Sequence, residues 1–156
     1  MIPRPFHASL LLLTMCMSPA FSGGACASLG ADAASVASDA ARLHGGDQVT
    51  ALQAYDLHEI SADAGMRIRE FVDCDGVVFA VAWSGPVVPD LHMLLGASYS
   101  TYTAALAAVT QRPLHRFVRI ASPGLIVESG GHMRALSGRA YLPDLVPPGL
   151  SAADIH

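Results

Sequence analysis

Two glutamates set inside apolar strand patterns are the residues best placed to do chemistry. Glu70 shares a strand face with Ile68 and Val72, and Glu128 shares one with Ile126. A carboxylate on a buried face must be paired or protonated, and such groups gather at functional sites. His58 and His132 are the imidazoles to set beside them. A carboxylate and a histidine within hydrogen-bond reach on a sheet face would give a small hydrolase its general acid and base. The competing outcome is structural. Arg67, Arg69, Arg119, Arg134 and Arg139 lie on neighbouring expected strands, and cross-strand ion pairs are commoner than catalytic dyads.

Other constellations carry less. Ser129-Gly130-Gly131-His132 offers a serine and a base, but Val127 breaks the G-x-S-x-G pattern of a nucleophile elbow. Gly130-Gly131 reads instead as a two-residue hairpin turn. Cys74 lies between Asp73 and Asp75, whereas a nucleophilic cysteine needs a cation, a base or a helix N-terminus beside it. It reads as a turn residue. Among the histidines, His58, His92, His115 and His132 show none of the short ligand spacings of a zinc site. His58-Glu59 lacks the second histidine of the metalloprotease motif. No glycine cluster opens a helix, so a phosphate loop is not indicated. No metal and no cofactor is expected.

The elements that would position these residues centre on Gly76 to Leu95. Val77, Phe79, Val81 and Trp83 point to one side of a strand and Val78, Ala80 and Ala82 to the other. Both faces are apolar, which predicts a central strand covered on both sides. Gly85-Pro86 ends it, and Asp90 caps a helix. Leu91, Leu94, Leu95, Tyr99, Tyr102, Leu106 and Val109 continue that helix as one stripe. Upstream, Ala31 to His44 predicts a short helix with the weak anchors Val36, Ala40 and Leu43, loosely docked. Val49 to Ile60 and Met66 to Val72 follow as strands. Asp73 to Gly76 joins the second of these to the central strand, as a type I turn with a left-handed glycine or as a two-residue Asp75-Gly76 turn. After the break at Gln111-Arg112-Pro113 come a strand over Leu114 to Ile120, a turn at Ser122-Pro123-Gly124, a strand over Leu125 to Ser129, and a return over His132 to Tyr141. The expected fold is α+β: an antiparallel sheet of five or six strands in βββ-α-βββ order. One long helix packs on a face, and a short helix precedes the sheet.

The chain has 156 residues, a hydrophobic fraction of 52% and a formal charge of −4, and it contains no lysine. There is no basic run or aromatic-interleaved patch, which argues against nucleic acid as a partner. Arg4, the apolar run Ala8 to Met17 and the small-x-small site Ala25-Cys26-Ala27 read as a secretory leader with cleavage near Ser28. The run is shorter than the ~20 residues of a membrane span. Gly23, where a lipoprotein signal would carry leucine, ranks acylation of Cys26 below simple cleavage. Cleavage removes Cys16 and Cys26 and leaves Cys74 alone, so no internal disulfide is available. The expected organisation is a signal peptide over 1–27 and a single domain over 28–156. Within it, 28–48 is helix and linker, 49–142 the core and 143–156 an irregular, proline-containing tail. No membrane span is expected after cleavage.

The blocks REFVDCDGVVFAVAWSGPVVPDLHMLLG and VESGGHMRALSGRAYLP resemble the bacterial family catalogued as domain of unknown function 2844. With the leader, the resemblance covers about Tyr55 to Pro143. It implies export and a shared fold, and brings no activity or catalytic residues with it. Residues and resemblance together point to an exported, non-catalytic envelope or secreted module, periplasmic or extracellular, that binds a partner protein or a small ligand. The alternative is a small hydrolase built on Glu70 or Glu128 with His58 or His132.

Overall fold

The computed structural model describes residues 29–109 and 117–156. The expected leader with Cys16 and Cys26, the break at Gln111-Arg112-Pro113, the start of the following strand at Leu114, and His115 lie outside the described residues. The described residues build one seven-stranded sheet, antiparallel at every pairing. Its strands are β1 (Gly46–Ala51), β2 (Asp56–Ala62), β3 (Met66–Val72), β4 (Val78–Gly85), β5 (Phe117–Ser122), β6 (Leu125–His132) and β7 (Ala135–Tyr141). Their spatial order is β1-β2-β3-β4-β7-β6-β5. The helices are α1 (Ala34–Arg42), α2 (Leu91–Leu95) and α3 (Tyr99–Ala108).

The α+β class, the antiparallel sheet and the central strand match expectation. Every residue from Val78 to Trp83 is buried, and β4 is the middle strand of the seven. Asp90 caps α2 through Oδ1, which accepts from the amides of His92 and Met93. The helical segment from Asp90 onward is divided at Gly96, whose φ of 47° lies in the left-handed region that glycine tolerates. A single 3-10 turn at Gly96–Ser98 separates α2 from α3. Leu94 and Leu95 are fully buried, while Leu91, Tyr99, Tyr102, Leu106 and Val109 pack against the same core.

The strand count and order differ from expectation. Four strands precede α2 and three follow α3, because Val49 to Ile60 is a hairpin and not one strand. Its turn, Leu52 to Tyr55, is closed by the Leu52 amide donating to the Tyr55 carbonyl at 2.9 Å. It contains no glycine, proline or asparagine, so the usual punctuation is missing. Residues 46–48, expected as linker, belong to β1.

The last hairpin is also displaced. Gly130-Gly131 lies inside β6, paired with Ser137 and Leu136, and the chain reverses at Met133-Arg134. Gly131 is required there by close approach: a Cβ would stand 2.2 Å from the Ala135 carbonyl oxygen. Arg134 takes the left-handed position, at φ 67°. The Asp73 to Gly76 turn follows its four-residue form. Asp73 Oδ1 accepts from the amides of Asp75 and Val77, and Gly76 has φ 81°. A register shift between Phe71 and Val72 accompanies it.

The sheet has two differently covered faces. On one, α1, α2 and α3 cover Ile60, Ile68, Val72, Val81, Trp83 and Val127. The α1 helix is docked more closely than its small anchors suggested. Val36 and Asp39 are buried, because alanine and serine let the helix backbone approach the sheet. On the other face, Phe71, Phe79, Ala80 and Tyr141 are covered by the tail. That tail is irregular apart from two single 3-10 turns, Pro143–Leu145 and Ala152–Asp154. Ile155 is completely buried in it.

Candidate functional site

Strand register places one side chain from each strand in rows that cross the tail-covered face. One row runs Arg119, Glu128, Arg139, Ala82, Arg69, Glu59 from β5 through to β2. Its charges pair at both ends. Glu128 receives Arg119 at 3.0 Å and Arg139 at 2.6 Å. Glu59 receives Arg69 at 2.9 Å and lies 3.5 Å from Arg67. Ala82, in the middle, leaves room above it. Arg139 donates to the carbonyls of Ala152 and Ile155, and Arg69 to the backbone oxygen of His156. The two guanidiniums thereby hold the tail against the sheet.

The adjacent row runs Phe117, Gly130, Ser137, Ser84, Arg67. Three small residues separate a phenylalanine that is half exposed from an arginine that is half exposed. This row is the floor of a groove of about 470 Å³, walled on one side by the charged row and by Ile155 and His156. That volume lies in the range of small-molecule sites. The side chains on its charged side are already fixed by ion pairs and by the tail, so the groove is preformed.

The four candidate acid–base residues are dispersed. Glu128 lines the groove but is held by two arginines, as the cross-strand alternative anticipated. Glu70 lies on the opposite, helix-covered face, 1% exposed, and its Oε2 has no hydrogen-bond partner among the described residues. Burial, reinforced by the neighbouring charges of Asp39 on α1 and Asp47 on β1, pushes its pKa up to about 8. His58 is the register partner of Glu70 and directs Nδ1 to Asp47 Oδ2 at 3.0 Å. Neither Glu70 nor His58 lines the groove. His132 is exposed at the end of β6. Ser129 lies three residues before it, an odd separation that puts the two on opposite faces of the strand.

Cys74 is exposed in its turn. His92 stacks edge-on against Tyr99, with ring centroids 4.9 Å apart. No group of three or more His, Cys, Asp or Glu among the described residues could hold a metal ion.

Three features of this region lie beyond the sequence reading. They are the buried Asp39, the Asp47–His58 contact, and the tail as a wall of the groove. Asp39 does follow Val36 by three residues on the expected inner face of α1, and that spacing was the available signal. The other two depend on which strands become neighbours.

No curated protein and no solved structure matches the chain. A family model does match, over residues 25–155, and this covers most of the chain. The protein therefore belongs to the family described as protein of unknown function, DUF2844.

Proposed function

We propose that this protein is an exported, non-catalytic binding module, a single domain after its leader, and that the groove on the tail-covered face is its ligand site. The observation that carries the reading is that the groove's glutamate is held by two arginines while Glu70 is sealed away from the groove. The groove is open and preformed, while Glu70 is sealed beneath the helices and Glu128 is neutralised by Arg119 and Arg139. Export is supported by the leader pattern of Arg4, Ala8 to Met17 and Ala25-Cys26-Ala27. No helix among the described residues is long and apolar enough to cross a membrane.

The test is a thermal-shift titration of the mature protein with a small-molecule extract of its host's envelope, run beside Ser137→Trp, which fills the groove. A rise in Tm for the parent chain that Ser137→Trp lacks supports the site. An equal response in both, or none in either, refutes it. Ester or amide turnover that Glu70→Gln abolishes would establish the hydrolase reading instead. Mass spectrometry of the exported form should find a start near Ser28; an intact Met1, or a diacylglyceryl mass on Cys26, overturns the export proposal.

A further inference from the structure

The groove has unlike ends, and this difference defines a ligand. We infer that it takes a small amphiphilic carboxylate, with the anionic head at Arg67 and the apolar body laid across β4, β7 and β6 toward Phe117. The inference rests on the groove being the ligand site. Its geometry comes from the register row Phe117, Gly130, Ser137, Ser84, Arg67. With strands about 4.8 Å apart, four spacings make a trough roughly 19 Å long. Its middle is floored by one glycine and two serines, so an extended chain can lie flat against the sheet.

Charge decides which end receives the head. Among the lining residues the charged side chains are three arginines, Arg67, Arg69 and Arg139, against one glutamate, Glu128, with His156 beside them. Arg139 and Arg69 are occupied by tail carbonyls and by close carboxylates. Arg67 is 52% exposed, and its ion pair is the longer one, 3.5 Å through Nε to a Glu59 that Arg69 already holds. Its guanidinium is therefore the one that can meet a ligand carboxylate, in the two-pronged geometry that suits the pair. At the far end Phe117 is 54% exposed, an aromatic surface that an apolar chain would cover.

Isothermal titration of the mature chain with dodecanoate, dodecanol and acetate tests the inference. Dodecanoate should bind saturably, dodecanol roughly tenfold or more weakly because it lacks the charge-assisted bonds, and acetate not measurably. Arg67→Gln should weaken dodecanoate by a similar factor and leave dodecanol unchanged. Phe117→Ser should weaken both. Arg67 and Phe117 are both half exposed, so the variants should fold; a denaturant melt confirms it. If dodecanol binds as tightly as dodecanoate, or Arg67→Gln binds dodecanoate like the parent chain, the carboxylate assignment is overturned while the groove remains a ligand site. If dodecanoate does not bind at all, the inference fails, and the extract titration with Ser137→Trp separately decides whether the groove binds anything.

Discussion

Replacing Glu70 by glutamine should change how the protein's stability depends on pH more than it changes stability at any acid pH. Glu70 is 1% exposed beneath α1, with Asp39 and Asp47 adding negative charge around it. Its pKa of about 8 in the folded chain compares with 4.5 for an ordinary glutamate. The raised value means that, between these limits, the unfolded chain binds fewer protons than the folded one. Stability is therefore fully present below about pH 4.5 and falls as pH rises, by at most about 1.4 kcal/mol per pH unit. The loss is complete once pH passes about 8, where it amounts to roughly 5 kcal/mol, a large part of the stability of a small domain. Glu70→Gln keeps the shape and cannot ionise. Urea melts of the parent chain and of Glu70→Gln, at steps from about pH 4 to about pH 9, should nearly coincide at the acid end. They should diverge in favour of the variant through neutrality. Parallel curves would show that the folded carboxylate ionises normally, and the account of a sealed, protonated Glu70 would be wrong.

Three further outcomes follow from the packing. Trp83→Ala should cost about 3–5 kcal/mol because the ring is buried in the core, whereas Cys74→Ser, at an exposed turn, should stay within about 0.5 kcal/mol in the same denaturant melts. Gly138→Ala would place a Cβ 2.3 Å from the Trp83 ring and 2.6 Å from the Glu128 carbonyl oxygen; it should cost about 1–3 kcal/mol by overpacking, read as a lower denaturation midpoint. Arg139→Met removes the bond to Glu128 and those to the tail carbonyls. It should cost roughly 2–3 kcal/mol and make residues 143–156 cleavable by protease before the sheet unfolds; unchanged protection of the tail would refute its role as a clasp.

Much of the sheet was legible because strand and helix periods are local properties. The run from Val78 to Trp83, apolar on both faces, could only be a central strand, and Asp73 to Gly76 and Pro123-Gly124 carry turn residues whose backbone preferences act within four positions. The hairpin at Leu52 to Tyr55 was not legible, since its residues have no intrinsic turn preference and the bend is held by the pairing of β1 with β2. Gly130-Gly131 misled for the opposite reason. Its conformational freedom suits a turn, yet the close approach of Ala135 uses it inside a strand.

The strand pattern also grouped Glu70 with Ile68 and Val72 and Glu128 with Ile126, with arginines on neighbouring strands. Sequence could not decide which carboxylate met which arginine. That depends on β7 inserting between β4 and β6, which aligns Arg139 with Glu128 and leaves Glu70 beside His58, Asp39 and Asp47. The groove is likewise a product of neighbours: Ser84, Ser137 and Gly130 are far apart in the chain and unremarkable singly. They become a trough only when cross-strand pairing sets three small side chains between Phe117 and Arg67. Pairing energies act between strands and not along them, so tertiary structure alone could assemble that site.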